Sequence, residues 1–197
     1  MGKIVCLMGK SSSGKDTIYK KLMEDPTLGL HHLVPYTTRP MREGEQEGVE
    51  YHFVDEDGLA RLQREGRVVE LRAYDTIYGV WKYFTVWEEQ MDLEKESYCL
   101  IGTLESWNAC CKYFGREHMV PVYIEVEDGL RLTRAIAREQ TQEHPRYEEL
   151  CRRFLADAKD FSEKNLKQAG ITERFENKDI NSCLEQIKIF IQKETVV

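Results

Sequence analysis

The chain has 197 residues, 41% of them hydrophobic, enough to close one core of good size and too few for two ordinary domains. Its formal net charge of −7 argues against a nucleic-acid binder, which would carry a basic stripe for backbone phosphates, and points to a small-molecule partner. Six cysteines with no C-x-x-C pair and no Cys/His cluster at zinc spacing read as reduced and structural; with no apolar run of transmembrane length, a cytoplasmic protein is expected.

Ile4 to Met8 is a short apolar run that predicts a first strand. It is too short for a signal peptide, and Cys6 stands where a myristoylation signal after Met1-Gly2 wants Ser or Thr. Helical spacing follows, with Ile18, Leu22 and Met23 as its apolar members. Between strand and helix, Gly9-Lys10-Ser11-Ser12-Ser13-Gly14-Lys15 matches G-x-x-x-x-G-K, the phosphate-loop pattern. Such a loop turns backbone N–H groups inward around a β-phosphate, and the positive end of the helix adds a favourable field. Lys15 then sets an ammonium against the β- and γ-phosphates, where charge shifts during phosphoryl transfer. ATP is therefore the expected ligand, held by Gly9, Ser11, Ser12, Ser13, Gly14 and Lys15. Mg²⁺ would be served by Asp16, which replaces the usual Ser or Thr, or by Thr17 beside it.

After a turn at Asp25-Pro26 comes a polar, arginine-bearing stretch from Leu33 to Gly48, in which Arg39 and Arg42 near Tyr36 form a plausible bidentate anion clamp. Val49 to Val54 alternates like a strand, a helix is predicted from Asp57 to Glu65, and Val68 to Ala73 reads as another strand. Tyr98 to Ile101 and Val120 to Val126 are further strands, each followed by helical spacing, and this alternation implies a mostly parallel sheet. A charged helical region runs from Leu130 to Lys167 with Pro145 interrupting it. A last helix, Asn181 to Lys193, aligns Leu184, Ile187 and Ile191. Arg134 and Arg138 lie one turn apart on one helical face, with Arg152 and Arg153 on the next segment. Cations arriving from a mobile lid neutralise charge on a transferred phosphoryl group and exclude water.

The run Tyr36-Thr37-Thr38-Arg39-Pro40-Met41-Arg42-Glu43-Gly44-Glu45, followed by Gly48-Val49-Glu50-Tyr51-His52-Phe53 and preceded by the phosphate loop, resembles the monophosphate-binding segment of guanylate kinases, and the resemblance covers nearly the whole chain. It implies an α/β P-loop NTPase fold in three layers, with a central, mostly parallel sheet, a small acceptor-binding subdomain and a helical lid. The single domain would divide into a core (1–33, 95–133 and 154–197), an acceptor region (34–94) and a lid (134–153). The resemblance also implies phosphoryl transfer from ATP to GMP. Arg39, Arg42, Tyr51 and Tyr78 would hold the acceptor phosphate, and Glu70 would accept hydrogen bonds from guanine N1 and N2. Arg138 and Arg153 would act with Lys15 in catalysis, with Arg134 and Asn177 nearer the adenine.

The chain departs from the family pattern where the base is read. Pro35 replaces a serine, Val80 and Trp81 replace hydroxyl residues, and Leu100-Ile101-Gly102-Thr103 replaces an L-D-I-D run. Proline and valine cannot donate to a guanine O6, so another group must supply that bond. Ser13-Gly14-Lys15-Asp16 and Gly102 also resemble the ribosyl bisphosphate phosphokinases of phosphonate metabolism, which makes ribose 1,5-bisphosphate an alternative acceptor. A non-catalytic phosphopeptide-binding module is a further alternative, opposed by the retention of Lys15. The assembly is expected to be a monomer or a homodimer.

Overall fold

The computed structural model describes residues 1–42, 44–76 and 79–195. Tyr78, expected at the acceptor phosphate, and Glu43 of the clamp segment lie outside the described residues. Strand β1 (Ile4–Met8) is buried at every position and forms the middle of a five-stranded sheet. It pairs in parallel with β7 (Ser97–Ile101) on one side and β8 (Met119–Glu125) on the other. Outside these, β2 (Leu30–His32) pairs with β7 and β9 (Arg174–Glu176) with β8, both in parallel. Near-continuous apolar runs such as Ile4–Met8 suit strands covered on both faces.

Both faces are indeed covered. Val5 and Leu7 pack with Ile18 and Leu22 of α1 (Lys15–Met23) and with Ile187 and Ile191 of α7 (Ile180–Thr195). Ile4, Cys6 and Met8, pointing the other way, pack with Trp107 of α3 (Leu104–Phe114) and Leu166 of α6 (Glu163–Gln168). Trp107 is anchored further, donating through Nε1 to the Ala169 carbonyl at 3.0 Å. The result is three layers, helix on sheet on helix, with the phosphate loop emerging at the C-terminal end of the central strand.

A second sheet has the order β4-β3-β6-β5, built from β3 (Tyr36–Thr37), β4 (His52–Phe53), β5 (Val68–Thr76) and β6 (Gly79–Val86). Helix α2 (Glu56–Arg64) packs Leu59 and Leu62 on Phe84 and Val86 beneath it, and starts at Asp55, whose carboxylate accepts the Gly58 N–H. The strand expected over Val49 to Val54 shrinks to two residues. Glu47 takes the Phe53 N–H at 2.9 Å and Gly48 donates to the Tyr51 carbonyl, so local loop bonds replace ladder bonds. Sequence periodicity missed β2, β3, β6 and β9, three of them too short to show a period.

Pro145 does divide the charged helical region, giving α4 (Asp128–Gln140), α5 (Tyr147–Asp160) and then α6. Glu127 caps α4, its carboxylate accepting the Gly129 and Leu130 N–H groups. The segment 134–153 thus begins inside α4 and ends inside α5. Among the described residues, no helix is long and apolar enough to cross a membrane.

Candidate active site

The loop from Gly9 to Lys15 curls tightly before α1 begins, with Ser12 at φ 63° and Gly14 at φ 87°. A Cβ on Gly14 would lie 2.5 Å from Asn177 Nδ2, and one on Gly9 would lie 2.7 Å from the Ile124 carbonyl oxygen. Both positions therefore need glycine for close approach, and Gly14 also for its backbone sign. Asn177, expected beside the adenine, sits against this loop instead of on an open turn, donating from Nδ2 to the Ser13 carbonyl at 2.8 Å. Its Oδ1 is buried without a partner, as are the hydroxyls of Ser12 and Ser13. Buried polar atoms normally find partners, so these three mark where a polar ligand fits. Lys15 Nζ lies 3.6 Å from Asp16 Oδ1, and Asp16 is otherwise largely open to solvent.

The lid helices approach the same loop. Arg138 and Arg153 line, together with Ser11 and Ser12, the narrow cleft between α4, α5 and the phosphate loop. The Arg153 Nε is buried there, with the Glu149 carboxylate 3.6 Å away. Arg134 donates to the Asn177 carbonyl at 3.2 Å, so the expected adenine-side pair is in contact.

Two residues of α4 and α5 just outside the segment 134–153, Arg131 and Asp157, are not legible as site residues in the sequence. Arg131 is only 1% exposed and bridges three groups: the Ser11 carbonyl at 3.3 Å, Asp157 at 3.2 Å and Asp128 at 3.1 Å. Its guanidinium stacks 4.1 Å above the Phe154 ring. Asp157 in turn accepts the Ser11 N–H at 2.8 Å, and Asp128 holds Lys10 Nζ at 3.0 Å. The i, i+3 spacing of Asp128 and Arg131 could be read from the sequence. The Asp157 partner, 26 residues further on, could not.

Across the cleft, Arg39 is 3% exposed and fixed by a bidentate pair with Glu45, both bonds 2.8 Å long, while its cation stacks over the Tyr51 and Phe53 rings. Burial works against that cation, yet the Glu45 bond and the Tyr83 phenol outweigh it and hold the Arg39 pKa above its ordinary value. The Arg39 bond in turn holds Glu45 below the usual carboxylate range. The Arg39 Nε stays buried and unpartnered, a free edge for an anion. Arg42 is exposed, and its charge helps depress the Glu149 carboxylate of α5, which Arg152 depresses most. Tyr51 is held above the usual phenol range by burial and by Tyr83, and the Asp16 carboxylate adds to that rise.

Glu70 is buried on β5, and its carboxylate is held by Arg72 and by the Thr85 hydroxyl. Neither partner was singled out from the sequence, although Arg72 lies two residues along the strand and so shares a face with Glu70.

A model of the family described as guanylate kinase matches residues 1–194. The chain belongs to the guanylate kinase family. Among curated relatives, the guanylate kinase of Anaplasma phagocytophilum (strain HZ) is 32% identical over 127 residues, a match spanning 63% of this chain and 58% of that protein. The crystal structure of guanylate kinase from Anaplasma phagocytophilum superposes with a TM-score of 0.66 at 25% identity, covering 100% of this chain and 87% of that one. The three-layer fold expected from the resemblance is thereby established. Neither match lends support to the ribose 1,5-bisphosphate or phosphopeptide readings.

Proposed function

We propose that the protein transfers the γ-phosphoryl group of ATP to GMP. The observation that carries this reading is the presence of two anion sites: the phosphate loop, with the unpartnered Ser12 and Ser13 hydroxyls and the Arg138–Arg153 cleft against it, and the buried Arg39 of the second sheet, whose Nε is unpartnered. In-line transfer needs the anions bound in those two sites to meet end to end.

The free polar atoms suit ATP. The loop amides, the unpartnered hydroxyls of Ser12 and Ser13, and Lys15 would hold its phosphates, with Arg138 and Arg153 lining the cleft beside the loop. The Asn177 Oδ1 can accept from the adenine amino group while Arg134 secures the Asn177 backbone. Mg²⁺ would draw charge from the phosphate oxygens when bound. Asp16 or Thr17 would hold it, and the Asp16 carboxylate, hard and largely solvent-open, suits that ion.

On the acceptor side, the Arg39 Nε, Arg42 and Tyr51 would grip the monophosphate, and Tyr78 joins them by its place in the family motif. That phosphate is ionised at neutral pH and is itself the nucleophile, so the residues must position it and balance charge; no general base is required. The test is a coupled ADP-release assay over GMP, AMP, UMP and CMP with wild-type and Lys15→Ala protein. GMP should support turnover best, and Lys15→Ala should lose about a thousandfold or more while unfolding at the wild-type temperature. Equal GMP turnover by the two proteins would refute the reading.

A further inference from the structure

Glu70, Arg72 and Tyr74 alternate along β5 and point to one face, opposite Thr85, Tyr83 and Trp81 of β6. Arg39 lies on this face too, its cation stacked on Tyr51, whose ring meets that of Tyr83. The Tyr51, Tyr74 and Tyr83 rings contact one another edge to face at 5.6 and 5.7 Å. An anion gripped by Arg39 would therefore place whatever it carries along an aromatic wall that leads to Glu70 and Arg72.

The Glu70 carboxylate is already engaged. Arg72 Nε donates to one oxygen at 2.9 Å, Arg72 Nη2 to the other at 3.1 Å, and the Thr85 hydroxyl adds a third bond at 2.8 Å. A carboxylate accepts about four hydrogen bonds, so this one cannot also receive the two donors that a ring N–H and an adjacent amino group would offer. Arg72 is left with Nη1, whose bond to the Thr103 hydroxyl is 3.4 Å long. A loosely held guanidinium N–H favours a carbonyl acceptor. Pro35 and Val80 offer no side-chain donor for such a carbonyl, and Arg72 does.

We propose that Arg72 sets the acceptor specificity: it supplies the donor for a 6-oxo group and occupies the carboxylate that would read a 2-amino group, so 6-oxopurine monophosphates with and without that amino group are accepted alike. This deepens the proposed transfer to GMP and rests on it. A site that makes no hydrogen bond to a group discriminates weakly for it, whereas a site built to bond that group rejects the analogue lacking it by orders of magnitude.

The experiment compares GMP with inosine monophosphate, the same purine without the amino group, by kcat/KM and by calorimetric binding. Wild-type protein should treat the two within about fivefold. Arg72→Leu frees the carboxylate and should raise the preference for GMP about tenfold or more. Glu70→Gln, which does not depend on the Leu variant folding, should leave the ratio within about twofold of wild type. A wild-type preference for GMP above about a hundredfold, or a loss confined to GMP in Glu70→Gln, would overturn the inference and leave the transfer reading intact. Equal binding of both nucleotides without turnover would support the inference and sink the transfer reading, and binding of neither would sink both.

Discussion

The thiols of Cys6, Cys99, Cys110 and Cys183 sit inside the core, and burial pushes each above the ordinary range, Cys110 to about 12 and Cys183 to about 11. At pH 8 a thiol with a pKa near 12 is ionised in about one molecule in ten thousand, and the thiolate is the reactive form. Cys151, on the exposed side of α5, has no such shelter. Labelling of the native protein with a thiol-specific disulfide reagent at pH 8 should therefore show one fast site, identified by mass spectrometry as Cys151, a slower one at the half-buried Cys111, and the buried four reacting only after denaturation. Rapid native labelling of Cys6 or Cys99 would contradict the packing described here. Burial also governs the functional polar residues, since Arg39 and Arg131 hold charge inside the protein only because fixed carboxylates face them.

Helices α4 and α5 are joined to the phosphate loop by one buried bridge. Asp157 binds both the Ser11 N–H and Arg131, while Arg131 returns to the Ser11 carbonyl, so both backbone groups of a single loop residue are held from the lid side. Removing one partner of a buried pair costs about 3 kcal/mol when the other charge is left uncompensated, and less here because Asp128 still faces Arg131. Asp157→Ala should lower the melting temperature by up to about 6 °C for a chain of this size. The double variant Arg131→Met with Asp157→Ala should recover much of that loss, because no unpaired charge remains. Additive losses in a thermal double-mutant cycle would mean that the two side chains are not coupled.

Over the whole molecule, the functional geometry depends on three bodies meeting: the five-stranded sheet with its phosphate loop, the second sheet carrying Arg39, and the helical pair carrying Arg138 and Arg153. A tether converts the second binding event into an intramolecular one, so a dinucleoside polyphosphate joining adenosine to guanosine should bind more tightly than ATP or GMP alone. At a hundredfold excess over its dissociation constant, a ligand adds about 2.7 kcal/mol, a rise of about 5–11 °C in melting temperature here. At equal micromolar concentration the linked compound should shift the midpoint well beyond the mixture of its halves. A shift no larger than that of the mixture would place the two sites too far apart for transfer.

Local chemistry is enough to specify the central strand, the phosphate loop and the arginine pair, because a short apolar run, a glycine at a left-handed turn and a cation-rich motif are all written within a few neighbouring residues. The glycine loop and Lys15 stand where the pattern requires, and Pro145 splits the lid where a missing N–H must break a helix. The partners of those residues follow no such rule. Arg131 meets Asp157, Asn177 meets Ser13 across 164 positions, and β6 is visible as a strand only once β5 lies against it. Glu70 reads as a free carboxylate in one dimension. Folding gives it Arg72 and Thr85, since hydrogen bonding between buried polar groups is settled by which chains approach one another in space, and spacing along the chain carries no record of that approach.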